Sequence, residues 1–335
     1  MVFWLNSPIK EKHIPGVFTI SLDFEKYWGV HDVLTISEVE HFKDITSIVS
    51  KTLELFRQYD IHATWATVGL LGLENTSLLA EMHDQDTIPY SNKNYSPFPI
   101  KSDKYGTFDG ALLNGKQEME TILATPNQEL SSHTYSHFYC CEKGITADDF
   151  EKDSAQMAAI GQGLKHQFTS IVFPRNQINP VFLRICKKYG ITAYRGNQEN
   201  RFWKNDRYEN ESIVKKAGRV IDAYFNISKT KAYTIETLPK HAIGILNIPA
   251  NRFLRPNSGK SFLEKRKIKR IKKEMYKAAK TGTVYHLWWH PHNFAGDKAI
   301  AFDQLEELLA YFQVLNAKFG FESLTLSEIR NRVQD

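Results

Sequence analysis

The chain has 335 residues, 42% of them hydrophobic and 24% charged, with a net charge of +5. That balance excludes a polar disordered chain, and so mild a basicity gives no nucleic-acid footprint by itself. Three cysteines, an odd number, argue against a disulfide framework, and no apolar run reaches the ~18–20 residues of a membrane span. The opening "MVFWLNSPIKEKH" has an apolar run too short for the core of a signal peptide, so the expected compartment is the cytoplasm.

In chain order, "GVFTISLDF" (16–24) is apolar and β-branched and predicts a buried strand. Residues 37–60 carry apolar side chains at helical intervals behind Ser37, a plausible N-cap. "IHATWATVGLL" (61–71) predicts a second strand, and a polar stretch (84–110) leads to a short helix near 111–124 and a third strand into "QELSSHTYS". Residues 146–167 predict a helix whose acidic first turn suits the positive end of its dipole. Then come a strand at 170–177, a helix at 179–190 with Pro180 near its start, a strand at 191–197, a late strand at 283–294 and a closing helix at 301–320. Strands alternating with helices of this size predict an α/β protein with a parallel sheet, and six or seven such units suit a barrel. No linker divides the chain, so residues 1–335 form one expected domain, with an insertion around 198–280 where the alternation weakens.

In parallel α/β folds functional side chains gather at the C-terminal ends of the strands. The strand ends here carry Asp23 and Glu25, then His133 and His137, then Arg175, then His290 and His292. Asp23 and Glu25 stand two apart and point the same way in a regular strand, where two carboxylates repel unless a cation or proton separates them. Two histidines four apart after a strand converge if the chain curls there into a helical turn. Glu25, His133 and His137 then make a two-histidine, one-carboxylate ligand set that leaves a position open for water. Residue by residue, the plainer readings stand beside this one: solvated acids at a strand end, two unrelated loop histidines, and a surface salt bridge for Arg175.

"SLDFEKYWG", "HTYSH", "FPRNQ" and "LWWHPHNF", in this order between about residues 16 and 294, resemble the motifs of the NodB-homology polysaccharide deacetylases, carbohydrate esterase family four. The resemblance implies a distorted (β/α) barrel that removes acetyl groups from N-acetylated sugars with a divalent metal, Zn²⁺ by expectation. It implies Asp23 as catalytic base, Glu25, His133 and His137 as metal ligands, Arg175 as the residue that holds Asp23 ionised, and His290, before Pro291, as general acid in competition with His292. A backbone N–H near Asn176 is a further candidate for stabilising the oxyanion, and Tyr27, Trp28, Trp288 and Trp289 for packing on a sugar ring at the mouth, with packing in the barrel an equal reading for Trp288 and Trp289. The family's adjacent acid pair is spaced here as Asp–Phe–Glu, the tyrosine of its third motif is missing, and its fourth motif has no clear match, with "AYRGN" standing where one would look. An amidohydrolase acting on a non-sugar C–N bond, and an inactive carbohydrate-binding homologue, are the alternative functions.

Residues 259–282, "GKSFLEKRKIKRIKKEMYKAAKTG", hold ten Lys and Arg between Lys260 and Lys280 against two Glu. Phe262, Ile268, Ile271 and Met275 give the stretch an apolar stripe that predicts packing on the body of the domain, with Lys265, Arg266, Lys269, Arg270, Lys272 and Lys273 outward. Such a helix is a solvated face, a grip for the phosphates of a nucleotide- or lipid-diphosphate-linked sugar, or a peripheral contact with an anionic membrane. No nucleic-acid-binding motif accompanies it, so no nucleic-acid partner is expected.

Overall fold

The structure is a computed structural model and describes residues 14–73, 87–98, 110–199, 213–225, 227 and 231–333. Its centre is β1 (Val17–Phe24), buried along its whole length. β1 pairs in parallel with β2 (Ala63–Thr67) on one side and β8 (Val284–Trp289) on the other. From β2 the sheet continues through β3 (Gln128–Ser132), β4 (Ser170–Ile171) and β5 (Ala193–Gly196), every pairing parallel. β1 is buried on both faces, with Phe18, Ile20, Leu22 and Phe24 on one and Val17, Thr19, Ser21 and Asp23 on the other.

One short stretch closes the sheet on itself. β6 (Leu246–Pro249) pairs with β5, and after two residues β7 (Arg252–Phe253) pairs with β8. The Ala250 amide donates to the Gly196 carbonyl at 2.9 Å and the Asn251 amide to the His286 carbonyl at 2.8 Å, so the crossing is bonded to both edges. The result is a distorted (β/α) barrel. A ninth strand, β9 (Glu322–Ser323), adds to the start of β1. The closing stave lies inside the stretch 198–280, where the sequence predicts only an insertion.

Around the barrel lie α1 (Ile45–Gln58), α2 (Lys116–Ala124), α3 (Ala147–Gly163), α4 (Leu183–Lys188), α5 (Ile213–Tyr224), α6 (Ser261–Thr281), α7 (Lys298–Phe319) and α8 (Leu326–Arg332). α3 begins at a capping box in which Thr146 and Asp149 satisfy each other's backbone amides. No helix among the described residues is long and apolar enough to cross a membrane.

Two expectations change at the local level. The strand predicted at 170–177 is only Ser170–Ile171, because Pro174 has no amide to donate and Arg175 and Asn176 turn into left-handed backbone at φ 52° and 54°. The basic stretch does form a helix, α6, with Ile268, Ile271 and Met275 buried, but Phe262 points outward and is 65% exposed. Arg270 turns inward instead, toward Glu274 at 3.0 Å, the Phe225 carbonyl at 3.0 Å and Asp222 at 3.4 Å.

Candidate active site and metal centre

β1 delivers Asp23 at its end and Glu25 just past it, both buried, on the face that looks into the barrel. β3 ends at Ser132 and releases the segment carrying His133 and His137. This segment does not form the expected helical turn. Thr134 and His137 adopt left-handed backbone at φ 63° and 58°, uncommon for non-glycine residues and rarest for a β-branched one. The bends are held from several sides. The Asp153 carboxylate of α3 accepts from the Tyr135 amide at 2.8 Å and the Ser136 amide at 2.9 Å, and the Gly69 and Leu70 amides donate to the Thr134 and Tyr135 carbonyls at 2.9 Å each. Strained backbone fixed from all sides in this way accompanies functional sites.

The curl brings the two imidazoles together, with ring centroids 5.1 Å apart. Nε2 of His133 and Nε2 of His137 each lie 3.2 Å from Oε2 of Glu25. The three residues are buried, and one ligand atom from each lies within 4.8 Å of the others. His133 Nδ1 sits 2.7 Å from the Val172 carbonyl, which can only accept, so Nδ1 carries a proton and Nε2 is the nitrogen turned to the Glu25 carboxylate. Two lone pairs at 3.2 Å repel unless a cation lies between them, a proton or a metal ion. The donor set therefore fits a divalent metal of the kind bound by two nitrogens and a carboxylate. Burial pushes the Glu25 carboxyl up, but the neighbouring His290, His133 and His137 outweigh it and hold the group well below the usual carboxylate range. Burial pushes His137 down, which favours the neutral, ligating ring.

Asp23 has a different partner. Arg195, at the end of β5, grips it at two points, Nη1 to Oδ1 at 2.6 Å and Nη2 to Oδ2 at 2.8 Å. Burial raises the Asp23 carboxyl, yet Arg195, with His133 and His290, more than offsets this and lowers it below its ordinary value. Arg195 is braced in turn. It donates to Ser21 Oγ at 3.1 Å and Asn176 Oδ1 at 3.2 Å, and lies over the Trp288 ring at 4.2 Å. Ser21 Oγ donates to His286 Nε2 at 2.8 Å, and His286 Nδ1 donates to the Ile248 carbonyl at 3.3 Å. Burial and the facing Arg195 hold His286 near 3, so it is neutral.

His290 completes the cluster from the end of β8. Its Nε2 lies 3.7 Å from Asp23 Oδ2 and 3.6 Å from Glu25 Oε1, with the side chain 21% exposed. Its Nδ1 donates to Asn293 Oδ1 at 3.2 Å, which turns Nε2 toward the acids. His292 lies behind it, stacked between the His290 ring at 4.8 Å and Phe42 at 4.6 Å, and burial followed by the nearby His290 pushes it down to about 3.

Arg175 does not reach Asp23. Its guanidinium pairs with Asp32 and covers the Tyr139 ring at 4.1 Å, because the left-handed turn at Arg175 and Asn176 throws the side chain to the far side of His137. Tyr139 packs edge-on to His137 at 5.2 Å and donates its hydroxyl to Asp32 at 3.1 Å, so Arg175 belongs to the layer behind His137. The Asn176 amide is engaged by the Phe173 carbonyl at 2.9 Å, leaving it no oxyanion to meet. The aromatic residues predicted at the mouth are interior: Tyr27 and Trp28 are fully buried, with Trp28 Nε1 donating to the Leu113 carbonyl at 2.8 Å, and Trp288 and Trp289 are buried in the barrel wall. Arg195 and Asp153 are the residues that strand-end reasoning passes over. Arg195 lies within "AYRGN", a strand end like the others; nothing in the sequence marks Asp153, a helical acid, as the anchor of the histidine loop.

No family model matches the sequence, and no curated protein matches it. Solved structures do. A protein from Mycobacterium smegmatis assigned as a polysaccharide deacetylase superposes with a TM-score of 0.57 at 12% identity, covering 99% of this chain and 92% of its own. One from Pseudomonas aeruginosa PAO1, similarly assigned, gives 0.54 at 10% identity over 94% and 89%. Puue allantoinase gives 0.53 at 10% identity over 94% and 88%. Identities this low speak to architecture, and on that ground the chain has the distorted (β/α) barrel fold of the NodB-type polysaccharide deacetylases.

Proposed function

We propose that this protein is a metal-dependent hydrolase that removes an N-acetyl group from a sugar or polysaccharide precursor, in the assembly of cell-surface polysaccharide. The observation that carries this reading is the convergence, in one cluster, of a Glu/His/His group that fits a metal, an arginine-clamped aspartate and a partly exposed histidine. Glu25, His133 and His137 would hold the cation. A divalent ion such as Zn²⁺, when bound, supplies a Lewis acid that lowers the pKa of water and draws charge from an amide carbonyl.

The remaining chemistry falls to the chain's own side chains. Asp23, kept ionised by Arg195, accepts the proton of the attacking water. Arg195 stays cationic throughout and fixes the direction of the carboxylate. The amide nitrogen leaves badly as an anion and needs a proton, and His290 Nε2 is placed to deliver it. His292, neutral and stacked behind His290, is the wrong donor. Arg175 would act through Tyr139 and Asp32, keeping His137 in place.

The fold likeness to Puue allantoinase favours a second reading, hydrolysis of a non-sugar C–N bond by the same cluster. The test is acetate release by the metal-reconstituted protein from N-acetylhexosamines, free and linked to nucleotide or lipid diphosphate, beside ring opening of cyclic ureides. Acetate from a sugar substrate, lost in Asp23→Asn, is the expected result. Turnover of ureides alone moves the assignment to the second reading, and turnover of neither by a protein that binds metal removes both.

A further inference from the structure

α5 is built inside out. A surface helix ordinarily buries its apolar stripe and shows its charges. Here Asp222 is the buried anchor, 1% exposed, donated to by Arg252 at 3.0 Å and by Arg270 of α6 at 3.4 Å. Arg252 also pairs with Glu274 at 2.7 Å, and Tyr285 of β8 donates to the same carboxylate at 2.9 Å, so this ionic knot ties α5 and α6 to the barrel. Three of its large apolar side chains face out, while the small Ala223 is buried. Val214 is 76% exposed, Ile221 49% and Val220 43%, followed by Phe225 at 40% and Ile227 at 46%. Val214 and Ile221 lie two turns apart on one face. Apolar groups gathered in this way, as opposed to scattered singly, mark an interaction surface.

The neighbouring helix sorts its charges to match. On the side toward α7, Lys272 pairs with Glu307 at 2.6 Å. On the side toward α5, Arg266, Lys269, Lys273, Lys277 and Lys280 follow one another at intervals of three and four, all exposed, with no ion pair among the described residues. They line a groove of about 940 Å³ beside Tyr276. Arg266 joins the two features, its guanidinium 4.4 Å from the Phe225 ring and 5.4 Å from the exposed ring of Phe262.

We propose that this face docks on an anionic phospholipid surface, with Val214, Ile221 and Phe262 entering the interface and the α6 cations meeting lipid phosphates. An amphipathic surface lying flat in the headgroup region needs both parts, apolar side chains to insert and cations to find the charge. A soluble polyanion such as nucleic acid would use the cations and leave the valine and isoleucine idle. A second copy in a symmetric contact would bring like charges together, since such an interface sets a patch against itself. The proposal stands apart from the hydrolase reading.

The experiment is co-sedimentation of the full chain with vesicles of phosphatidylcholine alone and of phosphatidylcholine mixed with phosphatidylglycerol. One double variant, Lys269→Glu with Lys273→Glu, removes charge. Another, Val214→Ser with Ile221→Ser, removes the apolar contact at exposed positions. Unchanged melting temperatures and Zn²⁺ affinities establish that both fold. The expected result is binding to the mixed vesicles only, reduced at least about tenfold by the charge reversal and clearly reduced by the serine pair. Absence of binding to the mixed vesicles overturns the proposal. So does a serine variant that binds as well as the unaltered chain, which would make the face a polyanion site, and so does a dimer in sedimentation equilibrium that the serine pair dissolves.

Discussion

Asp23 and Arg195 meet across the lumen as a two-point ion pair, at 2.6 and 2.8 Å, although they come from β1 and β5, 172 residues apart in the chain. A planar guanidinium matches a carboxylate at two oxygens, which a lysine cannot do. The pair therefore fixes both the charge and the direction of the aspartate.

The first prediction concerns its pH dependence. Burial raises the Asp23 carboxyl and Arg195 is the largest influence lowering it. Replacement by Arg195→Lys should let the pKa rise, so the acidic limb of the kcat/KM profile should move to higher pH. Turnover at neutral pH should fall by roughly 10–100-fold, the range for losing an orienting partner. A lysine variant with an unshifted acidic limb would show that Arg195 is not what keeps Asp23 ionised.

A second prediction uses the room around Glu25. A β-carbon placed on Gly29 would lie 2.0 Å from Cδ and Oε1 of Glu25. Gly29→Ala must therefore swing the Glu25 carboxylate away from His133 and His137. We expect Zn²⁺ affinity, measured calorimetrically, to fall by about 10–100-fold with little change in melting temperature of the metal-free protein. Unchanged affinity would remove Glu25 from the ligand set.

The fold and the meeting of Glu25, His133 and His137 were largely legible in the sequence, and the reasons are local. β1 could be read because its apolar and β-branched residues run without a turn signal from Val17 to Phe24. The histidine pair could be read because its spacing survives whatever backbone curls it, here two left-handed bends in place of a helical turn. Which arginine serves Asp23 could not be read that way. Arg175 and Arg195 both stand at strand ends, and only the barrel's closure and the left-handed turn at Arg175 decide between them. The closing stave was hidden for a similar reason. β6 and β7 are four and two residues long, too short for any periodicity. Trp28 follows a strand end as a mouth residue would, yet a short 3-10 turn folds it under the Leu113 carbonyl.

A third prediction follows from the anchor of the histidine loop. Burial raises the Asp153 carboxyl from 3.8 to about 6, despite hydrogen bonds from Ser136 and Tyr135 that lower it. The folded chain thus holds the proton more tightly than the unfolded one. Stability from this group is present below about pH 4 and declines as pH rises to about 6, by roughly 3 kcal/mol in all. Asp153→Asn has no such titration. In the metal-free protein, the denaturation free energy of the variant should gain on that of the unaltered chain across this window. The variant should also bind Zn²⁺ more weakly, since the Tyr135 and Ser136 amides donate to different carboxylate oxygens and asparagine puts an NH₂ donor in place of one of them. Parallel stability curves would mean that Asp153 is not the titrating group.

The last prediction separates the acid from the base. His290 Nε2 lies within 3.7 Å of both site carboxylates, while His292 is stacked behind it and held near 3 by burial. If His290 protonates the departing amine, its importance depends on how badly the amine leaves. For an N-acetylhexosamine, His290→Ala should reduce kcat by about 10²–10⁴-fold, the range for general acid–base catalysis. For an acetanilide bearing a 4-nitro group, whose anion leaves without a proton, the loss should be much smaller. Asp23→Asn should slow both substrates alike, because every acyl transfer to water needs the base. His292→Phe, which keeps the stack against Phe42, should leave kcat nearly unchanged. If His290→Ala costs the same on the two substrates, His290 acts by position or charge and the proton comes from elsewhere. If His292→Phe shows the leaving-group dependence instead, the two histidines exchange roles.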